Sequence, residues 1–439
     1  MFTAEQKRVL SEYKYSGPAG SFLFRNVFNP FYRYIAEFVP LCIHPNMLTL
    51  GGLGWVLASF CIIFFYSPNL AGEAPDWVYW AAGTFFLIYV ILDNIDGKQA
   101  RRTKTSSPLG EVLDHGVDAM VSLFGPVMFC DAMGAPHMIL PGLLFIQANF
   151  YLSSWEHAMT GVMSWGNEFL SVDEALLMDV VILYGRAYAG RDGVRQLIDL
   201  ASFSPISSLL SLCPDGWARV EEVFTMMGVP FVFKQGGIPV GDALIFVGIC
   251  ATVFTSTGTI IGGFRGKKSV WEGVKLSTPL VLYLFSLWHV PSLLVDITYG
   301  EEAGVGGERI AIMSNVFTSP FIAFAFALLF GFTLNRFIMS RIIGMKYPSL
   351  GDLLSSSFPL LLSLFLRYLF HMGVVHTSLV VFTINTALIL TSVLLYFVFA
   401  HFIFGGFEDA TGKKALVFLP VPPPSPTSSS LNEGKAKAE

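Results

Sequence analysis

The stretch "DNIDGKQARRTKTSSPLGEVLDHGVDAM", Asp93 to Met120, holds four aspartates, one glutamate and four cations in a chain that is only 13% charged. Asp96, Gly97 and Ala100 follow Asp93 at offsets of three, four and seven, so all four share one face of a helix. After Pro108, Gly110 is followed by Asp114 and Asp118 at offsets of four and eight, again on one face. The spacing predicts two short hairpinned helices, each presenting two carboxylates to a common space. Carboxylates gathered beside a membrane repel one another, and each is costly unless paired or coordinated. A divalent cation relieves that cost. Hard oxygen ligands favour Mg²⁺ or Mn²⁺ over zinc, and Mg²⁺ commonly bridges carboxylates to phosphates. Four carboxylates suit two ions, the arrangement that clamps attacking and leaving oxygens in a phosphoryl-type displacement. Gly97 and Ala100 would then let a nucleotide approach the backbone, with Arg101, Arg102 and Lys104 meeting phosphate charge. The plainer reading makes the stretch a solvated hairpin end whose cations serve only the positive-inside rule.

The elements that must position these residues are membrane spans. The chain has 439 residues, 53% of them hydrophobic and 41 of them Phe, which excludes an ordinary soluble fold. The apolar segments are too continuous and too little alternating for barrel strands. An all-α polytopic membrane protein with about ten transmembrane helices is expected, with spans near 47–66, 77–93, 115–134, 137–156, 174–190, 238–262, 273–297, 311–333, 354–371 and 378–404. The first apolar run begins only after about 45 residues that include Lys and Arg, so no cleavable signal peptide is expected. Five cysteines, Cys42, Cys61, Cys130, Cys213 and Cys250, are scattered without paired spacing, which argues against disulfides and a zinc site.

Basic residues concentrate after the second span (Arg101, Arg102, Lys104), the sixth (Arg265, Lys267, Lys268) and the eighth (Arg336, Arg341, Lys346). That distribution puts the N-terminus and the acidic cluster on the cytosolic side. The fifth span departs from the pattern, with Asp179 and Arg186 inside it, and is expected to be short, tilted or shielded. Five regions follow: 1–46, a cytosolic segment whose "NPFYRYIAEFVP" reads as an interfacial amphipathic helix; 47–198, the helices that carry the acidic stretch; 199–237, a long lumenal connection with room for a small amphipathic helix; 238–410, further spans, to which the resemblance given next assigns a lipid chamber and a dimer interface; and 411–439, a Pro- and Ser-rich disordered tail.

The charged stretch fits D-x2-D-G-x2-A-R-x8-G-x3-D-x3-D without a gap, as Asp93, Asp96, Gly97, Ala100, Arg101, Gly110, Asp114 and Asp118. This resembles the signature of the CDP-alcohol phosphotransferases. "LSEYKYSG", "HPNMLTLGG", "DGKQARRT", "SSPLGEVLDHGVD" and "SSWEH" resemble the eukaryotic choline/ethanolamine phosphotransferase branch, over residues 10 to about 175. The resemblance implies the CDP-alcohol phosphotransferase fold and two Mg²⁺ or Mn²⁺ ions on Asp93, Asp96, Asp114 and Asp118, bridged by the diphosphate of a CDP-alcohol. It implies nucleotide contacts from Gly97, Ala100 and Arg101, with Gly110 among the binding positions and Asn46 helping to close the cytidine pocket. Asn46 is otherwise a helix cap. The implied reaction is attack by the diacylglycerol hydroxyl on the phosphate bearing choline or ethanolamine, expelling CMP. The implied setting is the endoplasmic reticulum or Golgi membrane, with a homodimer as the assembly and no nucleic acid as partner.

The alcohol proton needs an acceptor. Asp118 is one candidate, but a metal-bound carboxylate is a weak base. His115, one residue after Asp114, is the better matched candidate, since imidazole is the side chain most often used as a general base. A His base needs an orienting carboxylate. Glu174 occupies the place where relatives carry one, although "SVDEALL" departs from their patterns. Glu156 and His157 of "SSWEH" are a second candidate pair, with helix capping as the structural reading of His157. Two alternatives keep other chemistry open. One is a CDP-diacylglycerol-dependent phosphatidyltransferase acting on inositol, serine or glycerol phosphate, against which ten spans and "DHGVD" argue. The other is a transporter, which predicts mid-bilayer acids in both halves of the chain.

Overall fold

The computed structural model describes residues 2–12, 20–162, 171–199, 237–266, 268–300 and 307–411. The lumenal-connection and tail expectations fall on 200–236 and 412–439, outside the described residues, as does Cys213; the other four cysteines are free thiols.

Thirteen helices are described: α1 Ala4–Glu12, α2 Asn29–Glu37, α3 Pro45–Tyr66, α4 Asp76–Thr103, α5 Pro108–Ala132, α6 Ile139–Thr160, α7 Val172–Val194, α8 Val240–Phe264, α9 Val270–Tyr299, α10 Gly307–Ser314, α11 Pro320–Ile343, α12 Leu350–His371 and α13 Thr377–Thr411. Eight of them, α3, α4, α5, α8, α9, α11, α12 and α13, are long and apolar enough to cross a bilayer. With α6 and α7, of 22 and 23 residues, the ten expected spans each have a helix. The protein is a polytopic integral membrane protein. Among the described residues, the one departure from helix and turn is a three-residue antiparallel ladder of β1 Leu197–Asp199 and β2 Gly237–Pro239, with Ile198 opposite Ile238.

α5 and α11 form the centre, with 78% and 83% of their most apolar windows buried, against 11% for α8 and 22% for α13. α3 packs on α4 and α5, α4 on α7, α6 on α8 and α9, α9 on α12, and α13 on α11. α13 buries a stripe, Val380, Ile384, Leu388, Ser392, Phe399, Ile403 and Phe407, whose four- and seven-residue steps make a row that winds slowly around the helix. Leu390, Val393, Leu394 and Phe397 point outward.

Two sequence expectations change, and a third is met. The acidic residues lie not on two short helices but on the ends of two full-length ones, because α4 runs unbroken to Thr103 and α5 begins at Pro108. The turn between them is built from Lys104 in the left-handed region (φ 56°) and the Ser107 hydroxyl, which accepts the Gly110 N–H at 3.2 Å. The eighth span begins at Pro320, after α10 and a 3₁₀ turn, so Arg336 and Arg341 stand inside α11 rather than in a following loop. The charged fifth span, α7, is shielded. Arg186 is 1% exposed, pairs with Asp76 at 2.7 Å, donates to the Gly72 and Ala74 carbonyls at 3.2 and 3.3 Å, and lies over the Tyr79 ring at 4.4 Å.

The expected interfacial helix is α2. Tyr32 and Ala36 pack inward, while Phe31, Tyr34 and Phe38 are exposed.

Candidate active site

The last turns of α4 have two opposed faces. Lys98, Gln99 and Arg102 hold the segment that carries α2. The Lys98 ammonium lies over the Tyr32 ring at 5.4 Å, and Gln99 Nε2 donates to the Pro40 and Ile43 carbonyls at 2.9 and 3.0 Å. Arg102 donates to the Ala36 carbonyl, to Val39 O at 3.1 Å and to Glu37 O at 3.2 Å, so its guanidinium closes the carboxyl end of α2. This corrects the expectation that Arg102 meets phosphate: its donors already serve backbone. Asp93, Asp96, Gly97, Ala100 and Arg101 occupy the other face.

Against that face stands the first part of α5. Asp93, Asp114 and Asp118 each offer an oxygen, and these atoms all lie within 4.8 Å of one another. At that separation each pair of like charges costs about 3 kcal/mol at an effective dielectric of about 20. Few donors offset this. Tyr89, one turn before Asp93, donates its hydroxyl to Asp118 Oδ1 at 2.9 Å. Tyr89 has room because Gly52 of α3 faces it: a methyl there would sit 3.2 Å from Tyr89 Cδ2. Asp93 Oδ1 is buried and takes no hydrogen bond. An orphaned buried carboxylate oxygen beside two more carboxylates is the donor set a hard divalent cation fits. Asp96 stands apart from the trio, accepting the Thr49 hydroxyl.

Asn46 and Gly110 are brought together. Asn46 Oδ1 would lie 3.6 Å from a methyl added at Gly110, and the Asn46 N–H donates to His44 Nδ1 at 3.2 Å. Burial lowers the His44 imidazole below its ordinary value, consistent with a neutral ring accepting that bond. Gly97 borders open space: a methyl there would meet only the Arg101 guanidinium, at 3.7 Å. Packing within the protein therefore gives no reason for glycine at 97.

His115 is 2% exposed, with Nδ1 2.9 Å from the Glu111 carbonyl and 3.8 Å from Asp114 Oδ2. Gly116 beside it accommodates α11, since a methyl would collide with the Asn335 amide and stand 3.1 Å from the Tyr396 hydroxyl. Glu174 has other partners: it opens α7 in a capping box, taking the Ser171 N–H at 2.7 Å, and accepts the Ser21 hydroxyl. Glu156 faces Gly262 of α8, while His157 turns to Arg341 at 3.3 Å.

Sequence reasoning passed over Tyr89, Thr49 and Glu111, and read Arg341 only as a topological charge. Tyr89 and Thr49 lie one turn from Asp93 and Asn46, and Glu111 lies in the first turn of α5, so helical spacing was the available signal.

Acidic face against acidic face, on two helices long enough to cross a bilayer, is an arrangement that could hold a divalent cation. Residues 42–165 match the model of the CDP-alcohol phosphatidyltransferase family. It is 38% identical over 154 residues to choline/ethanolaminephosphotransferase 1 of Arabidopsis thaliana, covering 35% of this chain and 40% of that one. It is 35% identical over 190 residues to cholinephosphotransferase 1 of Rattus norvegicus, covering 41% and 46%. It is 31% identical over 176 residues to choline/ethanolaminephosphotransferase 1 of Saccharomyces cerevisiae, covering 40% and 45%. These matches span less than half the length of the relatives.

Proposed function

We propose that the protein transfers phosphocholine or phosphoethanolamine from its CDP ester to the hydroxyl of diacylglycerol, releasing CMP. The observation that carries the reading is the trio Asp93, Asp114 and Asp118, with a partnerless oxygen on Asp93, inside the domain that matches the family. The names of the relatives support the choline or ethanolamine head group.

Asp93, Asp114 and Asp118 would hold Mg²⁺ or Mn²⁺, with Asp96 contributing to a second ion. Bound there, the ions neutralise diphosphate charge and the charge that develops on the departing CMP. Tyr89 orients Asp118 by its hydrogen bond. Gly97 and Ala100 leave a side-chain-free wall for the nucleotide, Arg101 supplies the cation that Arg102 does not, and Asn46 with Gly110 closes the cytidine side. The Glu111 carbonyl holds the His115 ring through Nδ1, which leaves Nε2 to take the proton of the attacking hydroxyl. Burial of His115 keeps bulk water from competing as nucleophile. The basic loops support a cytosolic mouth, where a water-soluble donor meets a lipid entering sideways, in an endoplasmic reticulum or Golgi membrane. A homodimer is the assembly the family resemblance implies.

The test is CMP release by purified protein in detergent with Mg²⁺, diacylglycerol and either CDP-choline or CDP-ethanolamine. Release that requires lipid, and is lost in Asp118→Asn and His115→Ala, is the expected result. Turnover of CDP-diacylglycerol instead, or no turnover, would sink the proposal.

A further inference from the structure

The site contains one cation from far outside the matched domain. Arg341, in the last turn of α11, reaches Glu111 Oε1 through Nη2 at 2.5 Å and His157 Nε2 through Nη1 at 3.3 Å. Glu111 and His157 are each more than nine-tenths buried, and Arg341 itself is only 17% exposed. One guanidinium therefore joins α5, α6 and α11, bound to α5 one turn before Asp114. Glu111 and His115 are one turn apart, and the Glu111 carbonyl holds the His115 ring. Whatever fixes the first turn of α5 therefore fixes the imidazole.

The chemistry of His157 follows from the same contact. A guanidinium has only N–H groups to offer, so His157 Nε2 accepts and the ring hydrogen sits on Nδ1. Nδ1 is buried and has no partner among the described residues. The arrangement thus holds a neutral imidazole in one tautomer with its donor unmatched.

We propose that Arg341 is a positioning residue for the transfer reaction, through which the C-terminal helices set the register of His115 and the tautomer of His157. The inference rests on the proposed function. Against it stands the simpler possibility that the Glu111–Arg341 pair only tethers helices. A tether acts on stability; a positioning residue acts on turnover even when stability is restored.

The experiment separates these with Arg341→Met, Arg341→Lys, Glu111→Gln and the double variant Glu111→Gln/Arg341→Met, each measured for CMP release and thermal midpoint in the same detergent. Arg341→Met strands a buried carboxylate and should lower both midpoint and kcat. The double variant removes both charges and should recover the midpoint, a non-additive coupling. Its kcat should stay down by about tenfold to a hundredfold with KM for the CDP-alcohol little changed, as for a misplaced reacting group. Arg341→Lys, which keeps the charge but loses the two-pronged geometry, should hold the midpoint better than the kcat. Recovery of kcat together with the midpoint in the double variant, or unaltered kcat in Arg341→Met, would overturn the proposal. Wild-type protein inert toward every CDP-alcohol while the midpoints remain coupled would refute the proposed reaction and leave Arg341 a tether.

Discussion

The two ends of α5 handle buried acids in opposite ways. At its far end Asp131, 0% exposed, accepts the Ser67 hydroxyl at 2.6 Å, the Gly72 N–H at 3.0 Å and the Tyr79 hydroxyl at 2.8 Å. At its near end Asp114 and Asp118 crowd Asp93, which has a buried oxygen with no donor at all. The residue type is the same and the helix is the same. One carboxylate is neutralised by donors fixed in the fold, whereas the trio has fewer donors than its oxygens could accept, as a cation site would. Burial alone therefore does not distinguish the two ends; the local supply of donors does.

The sharpest way to break the comparison is to neutralise one acid at each end. Asp118→Asn should abolish CMP release, by at least about a hundredfold, because it removes a charge the transition state needs. Its thermal midpoint without added metal should stay level or rise, since a repulsive pair disappears. A midpoint that falls would show that the trio is structural after all. Removing divalent metal from wild-type protein should give the same loss, reversed by Mg²⁺ or Mn²⁺. Titrating either ion back should raise the wild-type midpoint as a ligand of the folded state does, and raise that of Asp118→Asn less.

At the other end, Asp131→Ala should leave turnover of the folded protein intact but lower its stability by about 3 kcal/mol, because three buried donors lose their acceptor. Detergent unfolding curves measure this, and an unchanged curve would remove the contrast. Gly116→Ala tests how closely α11 must approach the site. The added methyl meets Asn335 and should cost about 1 to 3 kcal/mol, partly recovered by Asn335→Ala in the same chain.

The smallest effect concerns the entry to α3. His44→Ala removes a cap and should cost about 1 kcal/mol, with His44→Asn milder. Because burial holds the folded imidazole below its unfolded value of about 6.5, its stabilising contribution is complete above that pH. It declines as the medium is acidified through it. A midpoint-against-pH comparison in which the gap between wild type and His44→Asn changes only on the acid side would bear this out.

Much of this architecture is written in the sequence at short range. The offsets from Asp93 to Ala100 and from Gly110 to Asp118 place each set on one face, and that is how α4 and α5 present them. Helical periodicity states which residues share a side, not what stands opposite. Arg341 and Glu111 are 230 positions apart, and nothing local to either announces the pairing. The same limit applies to Arg336, read as a loop charge and found bonded to Asp352 at 2.7 Å within the helical bundle. Arg102 was misread for a different reason. A cation next to a phosphate-type site invites one role, and its carbonyl partners belong to a segment more than 60 residues earlier.

That seat of Arg102 has a mechanical consequence. α2 carries Phe31, Tyr34 and Phe38 on its outer side, and its carboxyl end is bolted to the same turns of α4 that bear Asp96 and Gly97. A force on those rings is therefore passed to the acid-bearing helix, as an outrigger passes load to a hull. Bilayers of different thickness or headgroup packing would load that lever differently.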